Sequence, residues 1–376
     1  MNNIRIIESS EIQHEKIDQR LATMPGDANA SVLAMIATQQ KQVVLAMLGI
    51  NAEQAIALAL ANSIEIYAQK LERIQGWTNG GVEMFRSSLM LMFDNIKADG
   101  VQPTDLEDLF QLALLEIMCN PQEYGLESWY EQNKVDISHI LESTGSGSHS
   151  LHEEAWNSPE KLGAVVAKLY DGIMKNGNIP SGSFLGQIMQ ELEKAGGGKA
   201  ISDQIVNGWN DEYGWWLNKG EGSININDPA SATVISPMLR LFLLSSLLEN
   251  KSMSKEEVEL ILTGSLEDVD KFIKDKFELD DKDVKYSSAS LNWLEANTTW
   301  RMISSGKLSG HIDWLGSGID LNDLVNLYSN FPGRELSEDE LEEINRIGDQ
   351  VKMIQQTLKY WLQICKDEQL AIARNI

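Results

Sequence analysis

Two histidine-containing groups have the composition of catalytic or metal-binding sites. In the first, His149 and His152 precede Glu153 and Glu154, and on a helix the two histidines would share a face, as two zinc ligands must. The spacing is not that of His-Glu-x-x-His, no third ligand can be identified, and a glycine- and serine-rich stretch comes directly before the group. We therefore interpret it as a solvated linker followed by a helix N-cap.

The second group is His311 with Asp313, where the carboxylate could fix the tautomer and the charge of the imidazole. No nucleophile elbow and no activated cysteine accompany this pair. The acidic run from Glu278 to Asp283 lacks the loop glycine and the terminal glutamate of a calcium loop. The glycines at 196–198 do not match a phosphate-binding loop and predict a turn. The sequence thus predicts no catalytic residue, no metal and no cofactor.

Trp209, Tyr213, Trp215 and Trp216 form the densest aromatic group of the chain. If exposed, such side chains would suit stacking on a sugar or contact with a partner protein. If buried, they would form the core of the middle of the chain, which is our interpretation. A carbohydrate-binding module or an enzyme centred on this group and on His311 is kept as a lesser alternative.

Apolar residues recur every seven positions near both ends of the chain. The early series is Ile36, Val43, Ile50, Ala57, Ile64 and Leu71. The late segment carries two such series, Ile344, Val351, Leu358, Cys365 and Ile372, and then Ile347, Ile354 and Trp361. This spacing gives a helix one apolar stripe that needs a partner helix. It predicts a coiled-coil pair, rather than two ordinary amphipathic helices, with assembly contacts at the late residues and at Ile64, Tyr67 and Leu71.

The charge balance argues against several classes of function. With 56 acidic and 31 basic residues, the chain has a net charge of −25, so no basic stripe is available for nucleic acid and anionic membranes should repel it. Cys119 and Cys365 lie in apolar helical patterns and predict buried free thiols. The polar stretch 1–20 does not have the pattern of a cleavable secretion signal, which leaves open export by a type III route.

These patterns predict a mostly α (α+β) fold: a long coiled-coil pair of an N-proximal and the C-terminal helix, with an inserted, mainly helical domain containing a small β component near Ser223–Asn227. The predicted segments are a flexible leader (1–30), a first stalk helix or a hairpin bent at Gly49 (31–75), a helical region (76–142), a central mixed domain (143–336) and the C-terminal helix (337–376). The boundary near 143 rests on a Gly/Ser-rich stretch, 143–148, typical of a linker. At the helix predicted over 103–119, Thr104 is expected as N-cap with Glu107 behind it.

Three stretches resemble the hydrophilic translocators of type III secretion systems, the needle-tip proteins of the V-antigen and invasion-antigen-D type. The first is Ile64–Trp77, a coiled-coil helix that ends in Gly-Trp. The second is Gly318–Val325, similar to the short helix that such proteins place before their last long one. The third is the end of the C-terminal helix, Ala371–Ile376.

The resemblance implies an antiparallel coiled coil and a non-enzymatic protein that is secreted to the bacterial cell surface through the type III route. It implies self-association at the needle tip and contacts with the needle subunit and the hydrophobic translocators. The protein would support pore formation in the host membrane and host-cell sensing. The alternative is an intracellular gatekeeper or helical scaffold of the secretion machinery, which would stay in the cytoplasm.

Overall fold

The computed structural model describes residues 52–145, 158–210, 235–279, 288–302, 312–314 and 318–374. These residues are predominantly helical, which confirms the prediction of a mainly α fold. The helices are α1 Ala52–Asn79, α2 Gly81–Asp99, α3 Leu106–Cys119, α4 Glu127–Ser143, α5 Pro159–Asn176, α6 Phe184–Lys194, α7 Gly197–Asn210, α8 Pro237–Asn250, α9 Lys255–Thr263, α10 Leu266–Phe277, α11 Ala289–Asn297, α12 Leu321–Ser329 and α13 Glu338–Arg374. Two 3₁₀ helices, Pro103–Asp105 and Pro121–Tyr124, and two strands, β1 Trp300–Met302 and β2 Ile312–Trp314, complete the described elements.

The chain divides into two compact units. Unit 1 comprises Met1–Thr78 and Leu336–Ile376, and unit 2 comprises Asn79–Glu335. The predicted boundary near 143 lies inside unit 2. Helix α1 also extends past the predicted stop at Gly76, which is buried within the helix.

Helix α3 forms the centre of unit 2. All of its residues from Leu106 to Met118 are buried, because α2, α4, α6, α7 and α8 all pack against it. A helix surrounded in this way has no polar stripe facing water. Its start differs from the prediction: the capping box is formed by Gln102 and Asp105 around the preceding 3₁₀ turn, not by Thr104.

Glycines allow α5 and α7 to pack closely. A Cβ atom at Gly163 of α5 would lie 2.6 Å from the Ser202 hydroxyl of α7, and one at Gly198 of α7 would lie 3.0 Å from the Tyr170 side chain of α5. The turn predicted over 196–198 is shorter than expected. Only Gly196 precedes the helix, with φ of +113°.

A small hairpin supplies the described β structure of unit 2. Its strands are antiparallel, and Trp300 pairs with Trp314, with ring centroids 5.4 Å apart. Phe242 of α8 lies against both rings, at 5.9 and 5.4 Å. The strand predicted at 223–227 lies outside the described residues.

Unit 2 begins and ends at neighbouring points. The amide nitrogen of Gly81 donates a hydrogen bond to the Phe331 carbonyl oxygen across 2.6 Å. Phe331 is buried and packs edge-on against Phe85 of α2, with centroids 5.5 Å apart. Adjacent entry and exit points allow a domain to be inserted into another element of the same chain.

Candidate functional site: the apolar seam of helices α1 and α13

Helix α1 contributes five buried residues to one apolar cluster. They are Ala57, Ala61, Ile64, Ala68 and Leu71, all at most 2% exposed. Their spacing alternates between four and three residues, so they form a single stripe along the helix. Three of the five are alanines, whose small side chains let a facing helix approach closely.

Helix α13 contributes the other side of the same cluster. Ile347, Val351 and Leu358 are buried in it. Three further predicted residues are partly buried and pack against its edge, namely Ile344, Ile354 and Trp361. The two stripes come from opposite ends of the sequence, and together they form the apolar seam of unit 1.

The remaining predicted assembly residues differ in their placement. Tyr67 is partly buried at the edge of the seam, together with Leu58, Leu60 and Ile74. Cys365 is buried on α13, at 2% exposure. The side chain of Ile372 lies outside the described residues, as do the early heptad positions Ile36, Val43 and Ile50.

The seam has the properties of a contact surface and not of a reaction centre. Each fully buried large side chain, such as Ile64, Leu71 or Leu358, contributes roughly 1.5–3 kcal/mol relative to exposure. None of the residues in the cluster carries an ionisable group except Tyr67 at its edge.

The other cysteine of the chain, Cys119, lies in unit 2. Burial raises the pKa of its thiol, which makes it a poor nucleophile.

Two alanines of the seam, Ala61 and Ala68, were not predicted, whereas Ala57 belongs to the early heptad series. The sequence contains a signal for both residues. Ala61 lies four residues after Ala57, and Ala68 lies four residues after Ile64, so each is on the same side of the helix as a residue of the early heptad series. Alanine is weakly apolar and common on all faces of helices, so a search based on large side chains passes over it. The structure places Ala61 and Ala68 deeper in the seam than Tyr67 and Ile74.

The aromatic group predicted as a possible contact site is largely outside the described residues. Trp209 lies in α7, but its side chain is not described, and Tyr213, Trp215 and Trp216 lie beyond the end of that helix. Their burial therefore stays a prediction.

The histidine groups also fall mostly outside the described ranges. His149, His152 and His311 lie there, whereas Asp313 is buried in β2 at 1% exposure. Of the acidic run, Glu278 ends α10 in the left-handed conformation, with φ of +54°. Within the described ranges, no cluster of three or more histidine, cysteine, aspartate or glutamate residues could hold a metal ion.

A buried polar centre in unit 2 was not predicted. The Glu107 carboxylate of α3 accepts hydrogen bonds from the Gly145 amide at 3.2 Å and from the Gln204 side chain of α7 at 3.1 Å. One turn later, Gln111 donates to the Leu141 and Thr144 carbonyls at the end of α4, at 3.1 and 2.6 Å. Burial raises the pKa of Glu107 well above its ordinary value, against the lowering effect of the Gly145 bond.

This centre corrects the interpretation of 143–148 as an open linker. Ser143 and Thr144 are 2% and 3% exposed, and Gly145 approaches the Gln111 side chain so closely that a Cβ atom there would lie 2.7 Å from it. The described part of the Gly/Ser-rich stretch is thus packed core. Residues 146–148 lie outside the described ranges.

Two arginines hold other parts of unit 2 together, the buried Arg240 and the half-buried Arg86. Arg240 of α8 donates to the Ile261 and Gly264 carbonyls at the end of α9, at 2.6 and 2.8 Å, and burial lowers its pKa to about 10. Arg86 of α2 donates to both carboxylate oxygens of the buried Glu116 on α3, at 3.0 and 2.6 Å. Both arrangements satisfy buried polar groups and have the character of structural links.

Comparison with known proteins gives no relative for this chain. No protein-family model matches it, and neither the curated proteins nor the solved structures contain a significant match. Within the described ranges, no helix has the length and the apolar character needed to cross a membrane.

Proposed function

We propose that this chain is a needle-tip protein, or hydrophilic translocator, of a type III secretion system. In this role it is exported without a cleaved signal, self-associates at the needle tip, and contacts the needle subunit and the hydrophobic translocators. It supports formation of their pore in the host membrane and takes part in host-cell sensing. It acts by binding and not by catalysis.

One observation carries the proposal: α1 and α13 share a single apolar cluster, whereas the chain between them forms a separate compact unit. This is the organisation expected of a two-helix stalk with an inserted domain. The hydrogen bond between Gly81 and Phe331 supports it, because the inserted unit begins and ends at one place.

The finer form of the proposal is that α1 and α13 make an antiparallel coiled coil. The alternating three- and four-residue spacing of the buried positions on α1 is that of heptad a and d residues. On α13 the seven-residue series is carried by Ile344, Val351 and Leu358. Alanine at three of the five buried positions of α1 would let the two helix axes lie close together along the stalk.

The negative charge of unit 2 fits a protein that does not itself insert into the host membrane but assists the translocators that do. Between Asn79 and Glu335 the sequence holds 40 acidic and 20 basic residues, so most of the net charge of −25 lies there. An anionic unit is repelled by anionic lipid, and its field favours encounter with basic protein surfaces. We therefore assign pore formation to the translocators that this protein assists.

One observation favours the second candidate, an intracellular gatekeeper or helical scaffold. A central mixed domain is predicted at 143–336, but the described β structure of unit 2 is a hairpin of two three-residue strands. A unit whose described residues are nearly all helical fits a cytoplasmic helical scaffold better than a mixed α/β domain does. Whether the protein is exported from the cell therefore distinguishes the two candidate functions.

Loss of seam residues tests the proposal at the needle. We expect Leu358→Ala to be exported but recovered in reduced amount on purified needles, because it removes a buried side chain of the seam. The matched control is Leu341→Ala on the same helix, where the leucine is 49% exposed. Deleting residues 367–376 should likewise leave unit 2 folded and abolish assembly. Normal needle occupancy after both the Leu358→Ala change and the deletion would refute the proposal.

A further inference from the structure

One exposed face of α13, outside the seam, carries a row of four residues spaced seven apart: Arg346, Met353, Tyr360 and Asp367. All four are exposed, Met353 to 61% and Tyr360 to 64%. Residues seven apart lie on one side of a helix, two turns from each other. The row therefore runs along about 31 Å of helix at 1.5 Å per residue.

The order of the row is self-complementary. Read in one direction it is cation, apolar, apolar, anion, and in the reverse direction it is anion, apolar, apolar, cation. When two copies of α13 lie antiparallel about a twofold axis between Met353 and Tyr360, Arg346 faces Asp367 of the second copy. Met353 then faces Tyr360 of the second copy, and each contact occurs twice, as an isologous interface requires.

The side chains suit these contacts chemically. A methionine sulfur beside an aromatic ring is a favourable pair, and tyrosine is among the residues that dominate binding energy at protein interfaces. Arginine pairs with a carboxylate through two parallel hydrogen bonds. In the single chain, Arg346 bonds with Glu343 and Asp367 accepts a hydrogen bond from Gln363 at 3.0 Å, so both groups are already held on this exposed face.

We propose that this row is a dimer interface, at which a second copy of this chain binds α13 antiparallel in the register given above. A crossing angle near +20° keeps residues with a seven-residue repeat facing each other along two packed helices. The seam of unit 1 is left intact, because none of its residues belongs to the row. The dimer goes beyond the proposed function and does not depend on it.

Sedimentation velocity of the full chain, over about 1–100 μM, tests the interface. We expect a concentration-dependent dimer, weakened at least about tenfold in Met353→Gln and in Tyr360→Gln, because each removes a central apolar contact twice. The matched control is Val135→Gln, since Val135 of α4 is 64% exposed in unit 2. Circular dichroism checks that every variant keeps its helical content.

Charge reversal tests the register itself. Arg346→Glu and Asp367→Arg should each weaken the dimer, because each creates two like-charge contacts, and the double variant should restore the dimer to within about threefold of the original affinity. A monomer at every concentration, an association that Tyr360→Gln leaves unchanged, or a double variant as weak as the single ones would each overturn the proposal. Since these measurements use purified protein, they stand apart from the export and needle assays.

Discussion

The Gly81 amide and the Phe331 carbonyl, 2.6 Å apart, fasten together the two ends of unit 2. Gly80 and Gly81 both have positive φ, at +67° and +58°, and there is no room for side chains beside the returning chain. A Cβ atom at Gly80 would lie 2.9 Å from the Phe331 oxygen, and one at Gly81 would lie 3.0 Å from the Ser329 oxygen. The closure of unit 2 thus rests on two glycines.

We therefore expect Gly81→Ala to destabilise unit 2. The left-handed conformation costs a non-glycine residue roughly 1–2 kcal/mol, and the approach to the Ser329 oxygen adds to that cost. The control is Gly125→Ala, where φ is +62° but nothing lies within 4 Å of the added Cβ atom. Denaturant unfolding should show a larger loss for Gly81→Ala, and equal losses would contradict the close approach.

Enlarging an alanine of the seam should weaken the pairing of α1 with α13. We expect Ala68→Leu to lower the free energy of unfolding by about 1–3 kcal/mol, because the buried site has no space for the added atoms. Ala59→Leu, at an exposed position of the same helix, should change it by less than about 0.5 kcal/mol. Thermal unfolding followed by circular dichroism measures both. A neutral Ala68→Leu would mean that the helices do not approach closely there.

Gly348 lowers the stability of helix α13. The residue lies inside a 37-residue helix, and nothing lies within 4 Å of an added Cβ atom. Gly348→Ala should therefore stabilise the helix by about 0.5–1 kcal/mol, since alanine loses less backbone entropy. A rise in the melting temperature of unit 1 is the expected result. A fall in the melting temperature would show that other atoms occupy the space beside Gly348 in the folded protein.

The pH dependence of stability should include a contribution from Glu107. Its folded-state pKa is raised above the ordinary value of 4.5 by burial, so the native state binds a proton more readily than the unfolded state. Stability from this group is consequently present at low pH and is lost as the pH rises from 4.5 through the raised pKa. Glu107→Gln should remove that slope.

Denaturant unfolding between pH 4.5 and 8 measures the effect of Glu107→Gln. Glu127→Gln is the control, because Glu127 is exposed at the start of α4. If Glu107→Gln left the slope unchanged, the carboxylate would titrate alike in the folded and unfolded chains.

Much of the helical framework could be predicted from local signals. The side chain of Ser265 caps the start of α10 by accepting a hydrogen bond from the Asp268 amide, and the side chain of Asp320 caps the start of α12. The seven-residue series at 344–361 also identified the apolar side of α13. The caps lie within one turn of helix, and the apolar series repeats every two turns.

What could not be predicted depends on contacts between distant residues. Glu107 has the spacing of a capping residue, and only the packing of α4 and α7 around α3 shows it to be buried. Similarly, Ser143–Gly145 has linker composition, but Gln111 binds the adjacent carbonyls and buries the segment. Local sequence cannot show how distant helices surround a polar side chain.

Whether the protein is exported tests the central claim, its needle-tip role, most directly. We would fractionate the native organism under secretion-inducing conditions, with and without its export ATPase, and follow this chain in the cytosol, the medium and the cell surface. The needle-tip role predicts its appearance outside the cell only when the ATPase is active. Retention in the cytosol under both conditions would contradict that role and would support the gatekeeper or scaffold.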